Sequence, residues 1–570
     1  MSSKFSYILN ESIEYITSNI SLYMKSRYNT DDKTKNFIMI KIDKRNNKNI
    51  LSTSMFWAKN IKNAKDLANE IYTNINWSID FFEKVEAVNG YVNFYINFKT
   101  FNLNVIKKVI ELKDEYGKGN LKNKKVVIEH TSANPTGPIH IGRTRNSIIG
   151  DSLSNIFRFS GYDVKTQFFL NDIGRQIAIL TYGVEKDFQN SEYSVDDVLN
   201  SYIKYSNEEK HDEHLAKVID NRLSEMETNE NVIMANKKII ELPLKNILNS
   251  LKNINITFDE IVWESNFLKN RMIPNLLDKL KSSNIVKNDN GVFFIAIDEE
   301  NIYLTRSNGT TLYILRDLAY NIYKLNNFDT VITVLGEDHK KQYDNIMKIL
   351  KMMLPTKTIY PIFYSFVTMS GSKMSTRKGT SVSLNDLYDE AIKRAKIEMT
   401  KRRNDLSDND IKKISKIIAV GAIRYNMIKI QFEKVISFDW DDALNFEGNS
   451  APFIQYAYTR AKGILNKKDI DAGTINIAYD LLDALEIELI FSISQFPSIV
   501  KEVSENYRVH ALAIYLYQLA DKFNRFYDNI PVLHAMDINI VNARLLLVYS
   551  VSVVLENGLK LLGIETPPFM

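Results

Sequence analysis

The sequence predicts a multidomain α/β protein in which an N-terminal α+β unit precedes a doubly wound parallel-sheet domain and an all-α last third. Three observations predict this. At 570 residues the chain exceeds what one hydrophobic core usually supports, so several cores are expected. From Lys125 to roughly Leu384, short β-branched strands alternate with helical patterns, the mark of a parallel sheet. After about Asn385 strand patterns cease, and amphipathic stretches such as "HALAIYLYQLADKFNRFY" run to the end.

Taken in order, residues 1–112 mix helical and strand patterns and finish in "EAVNGYVNFYINF", an alternating strand pair around Asn89-Gly90. The polar stretch "ELKDEYGKGNLKNKK" then reads as a connector. Within 113–385 the candidate strands are "KKVVIEH", "VKTQFFL", "DTVITVL" and "YPIFYSFVTM". The segment from about 179 to 287, rich in Asn, Glu and Lys with helical periodicity, reads as a helical insertion into that domain, and 386–570 as the all-helical domain.

Composition narrows the chemistry. With 45% hydrophobic and 25% charged residues the chain is of ordinary globular type, and no uninterrupted apolar run is long enough for a membrane span. The first residues have neither a signal peptide's apolar block nor a transit peptide's Arg-rich pattern, so a cytoplasmic protein without membrane partners is expected. The lack of cysteine removes disulfides, thiolate catalysis and cysteine-based zinc sites. Seven scattered histidines give no ligand spacing, so no structural metal is expected. A net charge of +4 neither demands nor excludes nucleic acid. Local basic clusters occur at Lys124-Lys125, Lys340-Lys341 and Lys401-Arg402-Arg403, where a solvated charged face explains each equally well.

Two stretches point to a site. "EHTSANPTGPIHIGRTRNSIIGD", residues 129–151, reads as a strand end, a tight loop and a helix start. In an open parallel sheet ligands bind beyond the carboxyl ends of the strands, where helix N-termini offer unpaired N–H groups to anions. His140 can offer a ring nitrogen to a phosphate oxygen, and Gly142 lets a ribose or adenine approach the backbone. "TMSGSKMSTRKGTSVSL" places Lys373, Arg377 and Lys378 among glycines and small hydroxyl residues after a strand, a loop suited to stabilising charge on a polyphosphate. In "LYILRDLAY", Tyr313 and Asp317 are four apart and share a helix face. A carboxylate there can grip a guanidinium through paired charge-assisted hydrogen bonds, which makes Asp317 the specificity candidate. His339, after "VITVL", lines either that pocket or an adenine site. In the last third Phe453, Tyr456 and Arg460 share one spacing, as core residues or as a platform for unstacked bases.

The "HIG" and "KMS" pair resembles the signature of class I aminoacyl-tRNA synthetases, and the surroundings resemble arginyl-tRNA synthetases of archaeal type. The resemblance rests on "EHTSANPTGPIHIGRTRNSIIGD", "NDIGRQ", "SNGTTLYILRDLAY", "KMSTRKGT", "DDALNFEGNSAPFIQYAYTRA" and the terminal "LLGIETPPFM". Two positions depart from the family signature: Arg143 stands for the second histidine, and Thr376 for the second lysine, whose work Arg377 and Lys378 then share. The resemblance implies a class I synthetase Rossmann-like catalytic domain, an N-terminal tRNA-binding domain and a C-terminal anticodon-binding domain. It implies ATP with Mg²⁺, L-arginine and tRNA(Arg) as partners of a monomer without a tightly bound cofactor, and bound tRNA ahead of arginine activation. It assigns His140, Gly142, Arg143, Lys373, Met374 and Ser375 to ATP, with His140, Lys373, Arg377 and Lys378 catalytic. Glu129, Ser132, Asn134, Tyr313, Asp317 and His339 fall to arginine. Asn89, Tyr91, Asn93, Phe453, Tyr456, Arg460 and Met570 fall to tRNA. An adenylating enzyme without tRNA would need neither end module, and an RNA-binding relative without catalysis would not need His140, Lys373 and Asp317 together.

Overall fold

The helix Ile8–Tyr28 precedes a four-stranded antiparallel sheet: β1 (Ile40–Arg45), β2 (Lys48–Ser54), β3 (Phe82–Val88) and β4 (Tyr91–Ile96), in the order β1-β2-β4-β3. Asn89 and Gly90, at φ 50° and 84°, turn β3 into β4 as a two-residue hairpin requires. The computed structural model describes residues 4–45, 48–189, 191–283, 285–298, 300–370, 382–468 and 482–570. The helix Phe98–Leu112 leads out of this unit and stacks Phe101 on Phe491 of the helix Ala484–Asn506, with ring centroids 5.8 Å apart. The first unit therefore rests on the last third.

The central sheet is built from β5 (Lys125–Glu129), β6 (Asp163–Leu170) and β7 (Glu260–Trp263). Next in the chain, β8 (Val286–Asp289), β9 (Val292–Ile297) and β10 (Glu300–Tyr303) form a separate antiparallel sheet, before β11 (Thr330–Gly336) and β12 (Ile359–Tyr364) complete the central one. The order β12-β11-β5-β6-β7 is parallel throughout, with Ile128 between Ile332 and Thr166. The strand order reverses between β5 and β11, so the crevice beyond their carboxyl ends is the place for a ligand. The stretch read as one strand, "YPIFYSFVTM", breaks at Ser365-Phe366: its second half, β13 (Val367–Met369), leaves the sheet and pairs with β14 (Ile436–Phe438). β7 and β14 lie where the periodicity indicated only helices.

The helix Ile141–Phe159, which follows β5, is buried along most of its length although it carries Arg145, Asn146 and Asp151. Buried polar groups need protein partners, and these are found on distant segments. Arg145 is fully buried and donates to the carbonyls of Ser365 (2.7 Å), Lys434 (2.8 Å), Gln431 (3.1 Å) and Met427 (3.3 Å). Burial pushes its guanidinium down to about 10, which still leaves it charged at neutral pH. Asn146 donates to the Val334 carbonyl at 2.8 Å, tying the helix to β11. The helices Arg175–Phe188, Val195–Glu208, Glu213–Thr228 and Glu230–Lys252 form the insertion between β6 and β7.

The last third packs the helices Asp408–Ile428, Ala451–Leu465, Ala484–Asn506, Val509–Asn529 and Ile538–Leu561 around one core. By length and composition Ile538–Leu561 could cross a membrane, contrary to the expectation that no stretch is long and apolar enough, but 67% of that window is buried inside the protein. Its apolar character is that of a core helix.

Replacing Arg145 by Met removes a donor from four carbonyls, of which those of Ser365 and Met427 are buried, so Arg145→Met is expected to lower stability by ~3–5 kcal/mol. Denaturant unfolding followed by fluorescence checks this, and a loss under about 1 kcal/mol would show that the carbonyls find other partners.

Candidate active site

The loop leaving β5 is strained and then locked. Thr131 and Ser132 both lie in the left-handed region, at φ 74° and 37°, which is costly for a β-branched residue. Side chains of the following helix hold them there. Asn146 accepts from the Thr131 N–H (2.6 Å), Ser147 Oγ accepts from the Thr131 hydroxyl (2.8 Å), and Arg143 donates to the Ser132 carbonyl (3.1 Å). Arg143, assigned by resemblance to phosphate, thus spends at least one donor on the loop itself. Asn134 donates to Gln176 at 2.7 Å, joining the loop to "NDIGRQ". Ser132 reaches Glu129 through its hydroxyl at 3.0 Å.

His140 is the N-cap of the helix Ile141–Phe159, with extended φ and ψ of −91° and 163°. Its ring lies back over Gly142: a Cβ at 142 would stand 3.1 Å from the His140 Cε1. Burial and the neighbouring Arg143 lower the His140 pKa, while Asp338 after β11 opposes them. Burial and Arg143 both favour the uncharged imidazole, which keeps one ring N–H to offer to a phosphate oxygen. The strand bridge His140 to Ser383, with Ile141 N–H to the Val382 carbonyl (2.9 Å) and Leu384 N–H to the Ile139 carbonyl (2.7 Å), fixes the segment after "KMSTRKGT" beside His140. On its other side Ser370 N–H donates to the Phe438 carbonyl at 2.9 Å. Lys373, Met374, Ser375, Thr376, Arg377 and Lys378 lie outside the described residues.

Beyond β5 and β11 a cavity of about 70 Å³ is lined by Glu129, Asp317, His339, Gln342, Phe169 and Tyr320, among others. Two acids face it in different states. Glu129 is buried and already paired with Lys324 (2.5 Å), itself fully buried and bonded to Thr333 (3.1 Å). Among the described residues the Asp317 carboxylate receives only the Gln342 amide, at 3.1 Å. Burial, with Glu129 nearby, pushes Asp317 up to about 6 against the pull of Arg316 and Lys324. Phe169 stacks on Tyr320 with centroids 4.3 Å apart and forms an apolar wall for a stem of methylenes. Such a pocket suits an extended cation: an apolar wall and one unneutralised carboxylate. Tyr313 begins the same helix as Asp317, is exposed, and lies over the Arg316 guanidinium at 4.6 Å. Arg316 is in turn buried against Glu264 at 3.1 Å, and burial raises that acid to about 8.

Sequence reasoning missed Lys324, Gln342, Arg316 and Glu264. Gln342 stands within "GEDHKKQ", the stretch that supplied His339, but the partners of the others are far apart in the chain. Two residues expected to face RNA do not. Asn93 is fully buried in β4 and accepts from Ser52 at 2.8 Å, because β4 lies in the interior of its sheet between β2 and β3. Phe453 is buried with its ring 5.3 Å from Tyr517, the ordinary fate of an aromatic at helical spacing. Asn89 and Tyr91 are exposed, Tyr91 beside the exposed Phe56. Tyr456 is exposed and shares Arg460 with Tyr527: the guanidinium lies 4.9 and 4.5 Å from the two rings. Met570 is half-buried, its carbonyl held by Arg403 at 2.8 Å. Within the basic cluster Arg403 also forks onto Asp405, and Lys401 pairs with Glu398.

The family described as tRNA synthetases class I (R), catalytic domain, matches residues 105–440, and the DALR anticodon binding domain matches 454–570. The arginine–tRNA ligase of Methanococcus aeolicus is 39% identical over 529 residues, which cover 90% of this chain and 92% of that protein. That of Methanocaldococcus jannaschii is 40% identical over 523 residues, covering 89% and 90%. Among solved structures, the arginyl-tRNA synthetase of Thermus thermophilus superposes with a TM-score of 0.84 at 23% identity, covering 98% of this chain and 100% of that one. The Plasmodium falciparum arginyl-tRNA synthetase gives 0.81 at 22%, covering 98% and 99%. At these identities the two structures speak for the fold.

The pocket's acid yields a signed pH prediction. The Asp317 pKa in the folded protein, about 6, lies above its ordinary 3.8, so stability conferred by the protonated acid is complete below about pH 4 and is lost as pH rises through 6. Asp317→Asn is therefore expected to melt above wild type at pH 7–8 and level with it near pH 4, measured by thermal unfolding without ligands. Equal differences at both pH values would contradict the assignment.

Proposed function

The chain belongs to the arginyl-tRNA synthetases of class I, and on that premise we propose how its residues divide the two steps of the reaction. In the first, the carboxylate of L-arginine attacks the α-phosphorus of ATP in line, forming arginyl-adenylate as the bond to pyrophosphate breaks. In the second, a terminal adenosine hydroxyl of tRNA(Arg) takes the arginyl group and AMP leaves. The observation that supports this division of labour is that two unlike groups of residues lie beyond the carboxyl ends of β5 and β11, next to the switch point. One is the His140 ring at a helix N-terminus, and the other a pocket where the Asp317 carboxylate meets the Gln342 amide while Glu129 is paired with Lys324.

In this reading Asp317 grips the guanidinium, with Gln342 orienting the carboxylate and Phe169 and Tyr320 flanking the stem. Glu129, neutralised by Lys324, sets the local field, while Ser132, Asn134, Tyr313 and His339 frame the backbone end of the amino acid. His140 donates to the α-phosphate as charge builds there, and Gly142 leaves its ring room. Lys373, Arg377 and Lys378 supply the cations, with Met374 and Ser375 carrying the loop's backbone to the nucleotide. Magnesium arrives on the polyphosphate as part of the substrate. Arg143 acts chiefly through the loop, by clamping Ser132. Asn89 and Tyr91, joined by Phe56, and Tyr456 with Arg460 and Tyr527, offer exposed stacking faces to tRNA, and Met570 closes the anticodon side. We divide the chain near residues 112 and 385 and assign it to the cytoplasm as a monomer.

Charging total tRNA with each of the twenty amino acids tests the function directly: arginine alone is expected to give stable product, and charging with any other amino acid at a comparable rate would contradict it. His140→Ala is expected to slow adenylate formation by roughly a hundredfold, ~3 kcal/mol, while arginine binding changes little. Single-turnover kinetics reads both quantities, and an unchanged rate removes His140 from the step.

A further inference from the structure

Three segments far apart in the chain converge on one guanidinium that the reaction does not use. Arg424, in the helix Asp408–Ile428, is fully buried. Its Nε donates to the Leu562 carbonyl (2.8 Å), one terminal nitrogen donates to the Ile254 carbonyl (2.7 Å), and the other is paired with Asp151. Leu562 and Gly563 end the last helix, Ile254 follows the last helix of the insertion, and Asp151 belongs to the helix capped by His140. Gly563 has φ 69°, and a side chain there would overlap the guanidinium, so glycine is needed both for the turn and for the approach. The Ser152 hydroxyl reaches the same Leu562 carbonyl at 3.4 Å. Past this point Gln455 holds the Glu565 carbonyl (2.8 Å) and Arg403 that of Met570 (2.8 Å), so the tail is stitched to the helical domain along its length.

A buried ion pair is a poor stabiliser compared with apolar residues of the same volume. What it supplies is direction: a guanidinium held by two carbonyls and a carboxylate fixes their relative positions. Asp151 lies eleven residues beyond His140, about 16 Å along one helix, so a shift at one end of that rigid rod moves the other. We infer that Arg424 is a positioning residue for arginine activation: through Asp151 it sets the His140-bearing helix against the C-terminal tail, coupling the state of the helical domain to the placement of His140 at the α-phosphate. The inference rests on the synthetase reading.

The test uses the full chain with tRNA present and compares Arg424→Lys, Asp151→Asn and the double variant with wild type. Expected are a fall of at least about tenfold in single-turnover adenylate formation per folded molecule, and half-saturating arginine and ATP within about twofold of wild type. Transfer from preformed adenylate to tRNA should likewise stay within about twofold, and the double variant should be no slower than the slower single one, since both break one link. Asp151→Asn is isosteric and still accepts a hydrogen bond, so it carries the test if Arg424→Lys does not fold. Unchanged activation with only a lower melting temperature would overturn the proposal, as would equal losses in activation, transfer and both half-saturations. Wild-type enzyme that failed to charge arginine in the same assay would count against the synthetase reading instead.

Discussion

A polar group shut away from water must find its partner inside the protein, and in this molecule that constraint falls most heavily on one helix. Ile141–Phe159 runs through the interior with Arg145, Asn146, Ser147 and Asp151 facing other elements. Their partners lie on the loop after β5, on β11, at the β12–β13 junction and on the helical last third. Each bond fixes a distant segment relative to the helix, so satisfying the helix assembles the sheet domain and docks the C-terminal one. The same bonds hold Thr131 and Ser132 in a conformation that they would not adopt alone, and that conformation carries the loop to His140. Strain at the loop and burial of charge in the core are two sides of one arrangement.

The pocket next to it works by contrast between two acids. Glu129 and Asp317 line the same small cavity, yet Lys324 neutralises the first, while the second has, among the described residues, a single amide donor. A site with two free carboxylates would repel itself and take up protons, and one with none would not select a guanidinium. One paired acid and one waiting acid give a pocket that is poorly stable when empty and well matched when a cation fills it. Its empty-state cost is local and is tolerated because the surrounding core is large.

Much of this was legible in the sequence, for reasons that also mark where reading stops. β5 and β11 are β-branched runs buried on both faces, and β6 ends in the buried Phe168-Phe169-Leu170, so all three stand out. β7 and β14 have four and three residues, too few for any periodicity to show. "YPIFYSFVTM" has the composition of one strand, but the Ser365 carbonyl is needed by Arg145, and the chain bends away there. His140 and Asp317 stood out as candidates because chemistry and spacing coincide in short stretches, whereas Tyr313, read from the same stretch as Asp317, is exposed and does not line the cavity. Lys324 was not, because a lysine in a helix reads as solvent-facing until its partner, 195 positions earlier, is brought beside it. Asn93 and Phe453 show the converse limit: composition suggested recognition, but which face is covered is decided by neighbours that local pattern does not reveal.

With its buried polar groups tied to distant segments, the Ile141–Phe159 helix is the most firmly held element of the molecule, rigid enough to carry both the loop and His140. Native-state hydrogen exchange of its backbone amides tests this most directly. Beyond the first turn, amides from Arg145 to Phe157 are expected to be among the slowest in the protein, exchanging only with global unfolding. Exchange of that stretch through a local opening, well ahead of β5 and β11, would contradict the account.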